Sequence, residues 1–305
     1  MKTAKPFLKW AGGKSQLISE IENSLPQDFN KKEFTFIEPF VGSGAVMFWM
    51  LNKYPNIKKA VINDINTDLT NTYITIKKNV EAVIQQLNEW QSQYHQFKND
   101  VDERKEYYYE KRALFNTRES DSVVQASLFI FLNRTCFNGL YRVNKSNEFN
   151  VPIGSYKTPL ICDKENLMEV SKLLEKVEIS NGDFEDTLFY AEKDTFFYFD
   201  PPYKPLSNTS SFNSYAKDEF NDHEQIRLRD FCKKLNAKGH FWMLSNSDVK
   251  GKNPDDNFFD DLYSNFNINR VQARRNINAN PKKRGKLNEL LITNYTTEVD
   301  YAKAI

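Results

Sequence analysis

The chain has 305 residues, 40% of them hydrophobic and 27% charged, with a formal net charge of +1. That length suits one domain carrying an insertion, and the apolar content is enough for a sizeable core, so a disordered or fibrous chain is excluded. The near-neutral balance excludes a partner held through overall charge, so any nucleic-acid surface has to be local.

In chain order, the stretch "PFLKWAGGK" leads into a helical pattern over 14–24. β-rich runs follow at 34–37 and 59–63, with a helical pattern at 43–52 between them. From about Ile65 to Arg134 the periodicity is helical throughout. Two short extended runs then flank the polar turn Asn144–Asn147, which predicts a β-hairpin. Alternation resumes with a helix at 164–175, strands at 177–180 and 195–199, a helix at 222–236 and a strand at 240–244. The last extended runs, 267–274 and 289–295, have no helical pattern between them and must pair antiparallel. Strands alternating with helices predict an α/β fold with a mostly parallel, seven-stranded sheet that ends in a reversed C-terminal hairpin. The helical block with its hairpin interrupts that sheet, so the core is expected in two pieces, 1–68 and 161–305, around an inserted unit at 69–160.

Cys136, Cys162 and Cys232 stand singly, which argues against a disulfide framework or a zinc site and fits a reducing compartment. No run approaches membrane-spanning length and no signal-peptide core opens the chain, so a soluble, cytoplasmic protein is expected. Local positive charge does occur. Arg270, Arg274, Arg275, Lys282, Lys283, Arg284 and Lys286 fall in a stretch without acids, although a solvated edge explains such a run as well as a ligand does.

Three constellations carry chemistry. In "EPFVGSGAVMFWM" the first strand opens a helix through Phe40-Val41-Gly42-Ser43-Gly44, glycine-rich where backbone must approach a ligand. Met47 occupies the third glycine position of a dinucleotide fingerprint, which weakens a pyrophosphate reading. Asp64 ends the next apolar run and suits the paired hydroxyls of a ribose; a tight turn and a helix cap are the plain alternatives. In "PFLKWAGGK", Lys9 and Lys14 flank Trp10 and Gly12-Gly13, and a lysine there could neutralise a ligand carboxylate. The third is "FFYFDPPYKPLSN". Asp200 ends a strand that is apolar on both faces, the carboxyl edge where open α/β sheets place their sites. Pro201 and Pro202 have no N–H to donate, so their carbonyls and the Asp200 carboxylate form an acceptor-rich corner suited to an exocyclic amino group. Tyr203 offers a flat face for a heterocycle. A strand-terminating turn is the alternative reading.

The set "FLKWAGGK", "EPFVGSGA", "NDIN", "NGDF" and "YFDPPY" resembles the Dam-type DNA adenine-N6 methyltransferases of the D12 class, in the motif order of the α group, with GATC-specific members the most similar. The resemblance runs on through "SNS" (245–247) and "RGKLNELLITNY" (284–295). It implies a Rossmann-like core with an inserted DNA-recognition domain, the methyl donor S-adenosyl-L-methionine, the product S-adenosyl-L-homocysteine, and no metal. It implies that Trp10 and Lys14 line the methionine end of the donor, and that Phe40, Gly42 and Gly44 also bind the donor. Asp64 would then hold the ribose hydroxyls and Asp183 and Phe184 border the adenine. Asp200, Pro201, Pro202 and Tyr203 form the catalytic corner, Asp200 also touching the donor.

The same resemblance reads "LNRTCFNGLYRVNKSNEFNVPIGSYKTP" as the segment that reads duplex DNA. Arg142 is the candidate for a bidentate guanine contact, Leu140 and Pro152 for thymine methyls, and Phe137 for an aromatic wedge. Asn138 and Tyr156 join them, Arg134 is expected at a phosphate, and Lys9 at a second guanine. A cognate restriction endonuclease sharing the DNA site without stable contact is the implied protein partner, in a bacterial or phage-encoded system. Other readings were a silent DNA-binding relative, the same chemistry on a longer GAT-containing site, or another planar amine as acceptor. Cytosine-N4 enzymes usually open the catalytic tetrad with Ser and glutamine enzymes with Asn, so Asp200 favours adenine.

Overall fold

Strands apolar on both faces require a sheet covered on both sides. The computed structural model of the chain describes residues 3–10, 12, 14–204, 220–251, 253–274 and 286–296. Within them the strands are β1 (Phe34–Glu38), β2 (Ile57–Asp64), β3 (Val177–Asn181), β4 (Thr195–Phe199), β5 (Phe241–Ser247), β6 (Asn267–Arg274) and β7 (Lys286–Thr293). They form one sheet in the order β3-β2-β1-β4-β5-β7-β6. The first five are parallel, while β7 runs antiparallel to both β5 and β6. The α/β sheet with a reversed C-terminal hairpin is therefore as expected.

Side-chain alternation along each strand divides the core in two. Phe36, Ala60, Ile62, Phe196, Tyr198 and Met243 pack on one face against α2 (Ala45–Lys53), α3 (Thr67–Gln96), α5 (Ser122–Thr135) and α6 (Lys164–Leu174). Ile37, Val61, Phe197, Phe199, Trp242 and Leu244 pack on the other against α7 (Asp222–Ala237) and α8 (Phe258–Leu262). β1 and β4 are neighbours whose chains leave in opposite directions, to β2 and to β5. The carboxyl ends at such a switch point leave a crevice that neither set of crossover connections fills. Glu38, Asp64 and Asp200 all stand at that edge.

The helical block resolves into α3, α4 (Val101–Thr117) and α5. Each starts where the sequence supplies a cap: Asn66, Asp100 and Asp121 accept backbone N–H groups from the first turn. Three expectations shift. α2 begins at Ala45 because Gly44, at φ 73°, still belongs to the turn before it. The expected helix over 14–24 is a 3-10 turn at Lys14–Gln16 followed by α1 (Ile18–Asn23), with the Lys14 side chain buried. The expected hairpin is held by the isolated bridges Cys136↔Ile153 and Val143↔Phe149. Its turn is tied instead by the Asn144 side chain, which accepts from the Ser146 and Glu148 N–H groups at 3.0 and 2.9 Å. Such local bonds compete with a ladder.

Of the basic run, Arg270 is held by Asp260 at 2.8 Å and Asp248 at 3.2 Å, the ordinary fate of a surface charge. The other basic side chains of that run lie outside the described residues. Among the described residues no helix is long and apolar enough to cross a membrane.

Phe197 is fully buried under α7, so Phe197→Ala is expected to lower unfolding free energy by about 3–5 kcal/mol. Phe189 is 86% exposed, and Phe189→Ala is expected to stay within about 0.5 kcal/mol of the parent in the same urea titration.

Candidate active site

Asp200 emerges from β4 beside a buried lysine. Its Oδ1 lies 2.7 Å from Lys14 Nζ, and the same ammonium donates to the Gly12 carbonyl at 2.7 Å. Ser245, on β5, donates to Asp200 Oδ1 at 3.2 Å and accepts from the Tyr198 hydroxyl at 3.1 Å. The Pro202 carbonyl accepts from Gln225 Nε2 at 3.2 Å. Tyr203 turns its hydroxyl onto Glu289 Oε2 at 2.7 Å, and Lys14 Nζ sits 4.4 Å from the centre of its ring. Asp200 and Tyr203 thus share one lysine. An ammonium already donates where an acceptor-rich corner was expected.

The electrostatics of this corner are tight. Burial raises the Asp200 carboxyl above its ordinary range; Lys14 pulls it down and Glu289 pushes it further up. Glu38, at the end of β1, is buried, and burial together with the Asp200 charge raises its carboxyl well above the usual range. Its Oε2 finds no hydrogen-bond partner among the described residues. A buried acceptor without a donor marks a place where a ligand's donor fits.

The glycine-rich turn stands next to this. Gly42 adopts φ 49°, its N–H donates to Asp64 Oδ2 at 3.1 Å, and its carbonyl accepts from the Tyr73 hydroxyl at 3.0 Å. A Cβ at position 42 would lie 3.0 Å from the Trp10 indole, so the glycine lets the indole close on the turn. Trp10 stacks on Tyr141 with ring centres 5.7 Å apart. Asp64 Oδ1 accepts from the Asn66 N–H at 3.0 Å, and burial raises this carboxyl too. Phe40 and Phe184 form an aromatic wall with centres 5.4 Å apart. Asp183 caps the turn at Glu185 and is ion-paired to Arg227, whose guanidinium lies 4.4 Å from the Phe184 ring centre.

The hairpin side presents Phe137, Asn138, Leu140, Arg142 and Pro152 at the surface. Phe137 is 51% exposed, a high value for a phenylalanine with its N–H fixed, at 2.9 Å, to the Pro152 carbonyl. Asn138 holds a left-handed φ of 55°. Arg142 Nε donates to Asn150 Oδ1 at 2.6 Å. Lys9 Nζ lies 4.0 Å from the Tyr156 ring centre. Arg134 differs from expectation: it is turned inward, donating to the Phe7 carbonyl at 2.7 Å, and burial lowers its pKa. It braces the N-terminal segment through Nη2, while Nε finds no partner among the described residues.

Sequence reasoning passed over Glu38, Asn133, Gln225, Ser245 and Glu289. Glu38 had a signal, a carboxylate ending an apolar strand as Asp64 and Asp200 do. Asn133 had none. It is buried, accepts from the Lys9 N–H at 2.8 Å, and donates to the Lys9 and Gly139 carbonyls at 2.8 and 3.0 Å.

Comparison with known proteins bears on this geometry. The family pattern of the D12 class N6 adenine-specific DNA methyltransferase matches residues 10–277. The chain is 50% identical to the Type II methyltransferase M.MjaIII of Methanocaldococcus jannaschii, over 95% of this chain and 99% of that one. It is 41% identical to the Type II methyltransferase M1.LlaDCHI of Lactococcus lactis, over 95% of each chain. It is also 38% identical to the DNA adenine methylase of Haemophilus influenzae, over 94% and 92%.

Asn133→Leu strands the Lys9 and Gly139 backbone groups without their partner. We expect a loss of about 2–3 kcal/mol in stability and faster amide hydrogen exchange across residues 7–10 and 137–140.

Proposed function

The chain belongs to the D12 class of N6 adenine-specific DNA methyltransferases, and on that premise we propose that Asp200, Pro201, Pro202 and Tyr203 carry out the transfer on an adenine turned out of duplex DNA, within GATC. The observation that carries this reading is the pairing of a buried acceptor, Asp200, with the Tyr203 ring across one ammonium, at 2.7 Å from the carboxylate and 4.4 Å from the ring centre. Lys14 Nζ marks the position in which an amino donor would meet both groups.

S-adenosyl-L-methionine, the donor that the family implies, supplies an electrophilic methyl on a sulfonium when bound. The residues fit it. Glu38 offers a buried, unpartnered acceptor for an ammonium, and the Gly42 turn is open to close approach under Trp10. Asp64 would hold the ribose hydroxyls, Phe40 and Phe184 would wall the adenine, and Asp183, fixed by Arg227, would border it. Lys14 and Gly44 complete the methionine side.

The amino lone pair of adenine is delocalised into the ring and is a weak nucleophile. Asp200 and the Pro201 carbonyl accept its two N–H bonds, which favours a pyramidal nitrogen with its lone pair free to attack in line. As the N–CH3 bond forms the S–CH3 bond breaks, the neutral thioether is the leaving group, and the nitrogen sheds one proton through its hydrogen bond to Asp200 and on to solvent. Neither proline adds a competing N–H donor. Positioning and electrostatics therefore supply the rate enhancement. Tyr203 stacks on the extruded base, whose removal from the helix costs a few kcal/mol of unstacking. Phe137, exposed on the hairpin, fills the gap. Arg142 and Lys9 read guanines, Leu140 and Pro152 meet thymine methyls, and Asn138 and Tyr156 line the path. The name of the 50% identical relative, a Type II methyltransferase, favours the modification half of a restriction–modification pair over an orphan enzyme.

Five outcomes are expected with tritiated methyl donor. Asp200→Ala lowers kcat by at least about a hundredfold while duplex binding persists in a gel-shift assay; near-normal turnover by that variant overturns the assignment. Label enters GATC duplexes over duplexes changed at one position, and Arg142→Ala relaxes that preference by about 1–3 kcal/mol at one guanine. Equal labelling of all duplexes removes the GATC reading. The acceptor form of Asp200 is the carboxylate, so kcat/KM, which reports groups of the free enzyme, falls as pH drops through its raised pKa. Lys14 lowers that pKa, so Lys14→Ala moves the acid limb to higher pH.

A further inference from the structure

We propose that Glu289 is a positioning residue for the transfer, holding the Tyr203 ring in its stacking orientation through a hydrogen bond to the hydroxyl. The inference rests on the reading of residues 200–203 as the catalytic corner.

The segment after β4 has little of its own to hold it. Two consecutive prolines remove two backbone donors, and residues 201–204 belong to no helix or strand. It is fixed from outside, residue by residue. Ser245 holds Asp200 at 3.2 Å, Gln225 holds the Pro202 carbonyl at 3.2 Å, and Ser247 reaches the Lys204 carbonyl at 3.3 Å. Tyr203 is anchored by Glu289, at 2.7 Å. Glu289 sits in β7 opposite Ser247 of β5 and Val271 of β6, so its backbone is locked in the sheet between two neighbours. A phenolic O–H lies in the plane of its ring, so an acceptor on a rigid strand sets both the position of the hydroxyl and the tilt of the ring. Lys14 covers one point of the ring; Glu289 fixes the tip.

The choice of a carboxylate is informative. A second acid near Asp200 is a liability, since it adds to the burial that already raises the Asp200 carboxyl. Among the described residues, the charged groups facing Asp200 are Lys14 from the N-terminal 3-10 turn, Glu38 from β1 and Glu289 from β7, with Tyr198 and Tyr203 as phenols. Glu289 therefore acts in two separable ways: an acceptor for Tyr203, and a charge that moves the acid limb of the pH profile upward. A residue with only a structural part in the sheet would do neither.

The test uses the full-length enzyme, a GATC duplex and tritiated methyl donor, with folding checked by circular dichroism. Glu289→Ala is expected to lower kcat about 10–100-fold, the worth of a hydrogen bond to a charged group, with KM for DNA changed far less. Glu289→Gln keeps an acceptor and removes the charge. It is expected to retain kcat within about fivefold of the parent and to move the acid limb to lower pH. Tyr203→Phe removes the hydroxyl and keeps the ring, and the double variant Tyr203→Phe/Glu289→Ala should be no slower than the slower single variant. Parental kcat in Glu289→Ala, an unmoved acid limb in Glu289→Gln, or losses that multiply in the double variant would each overturn the proposal. If Asp200→Ala and Tyr203→Ala also turn over normally, the catalytic corner itself is misplaced; if they are impaired while Glu289→Ala is not, only the role of Glu289 falls.

Discussion

The site is organised around the ion pair of Lys14 and Asp200. Both groups are taken largely out of water, which neither would tolerate alone, and each makes the other's burial affordable. The lysine comes from a loop before the first strand, and the carboxylate from the end of the fourth. Their contact therefore ties the N-terminus of the chain to the middle of the sheet. Tyr203, Ser245 and Glu289 all take their places relative to this pair. Among the described residues, one cation faces three acids, Glu38, Asp200 and Glu289, so this part of the pocket is short of positive charge. That shortage suits a site that must receive a cationic donor and a neutral amine.

The sheet makes such a gathering straightforward. Parallel strands deliver their carboxyl ends to one edge, and the reversal of direction between β1 and β4 opens a crevice there. Residues far apart in sequence, at 38, 64 and 200, become neighbours without any long loop having to find its own path. The hairpin β6–β7 adds the one strand that runs the other way. Because β7 is antiparallel, it enters the sheet from the site edge, and Glu289, near its start, arrives at the same crevice.

Much of this was legible beforehand. Strands such as Phe34–Glu38 and Thr195–Phe199 carry apolar residues on both faces, which only a covered parallel sheet explains. The caps at Asn66, Asp100 and Asp121 punctuate a helical block that periodicity alone merges into one. Asp64 and Asp200 stood out as polar ends of apolar runs. Less legible were side chains whose importance lies in what they touch across the fold. Lys14 looked like a residue for a ligand carboxylate and is engaged by a protein one. Arg134 looked like a phosphate contact, yet it spends its guanidinium on the Phe7 carbonyl 127 positions away. Asn133 and Glu289 sit in stretches that read as plain helix and plain strand, and spacing does not report a partner more than a hundred or eighty-six residues distant. Local rules see the element; they do not see its neighbours.

Lys9 and Trp10 are adjacent in the chain but contact different parts of the fold. The indole rests on Gly42 and Tyr141, while the ammonium lies over Tyr156, and Asn133 bonds the backbone of Lys9 and of Gly139 in the hairpin. One buried side chain thus joins the segment that carries the indole to the hairpin. Linkage then has to be reciprocal: by whatever factor a bound donor alters affinity for DNA, DNA alters affinity for the donor. The order in which the two arrive becomes a matter of concentration and rate, since the free energy of the ternary complex is the same by either route.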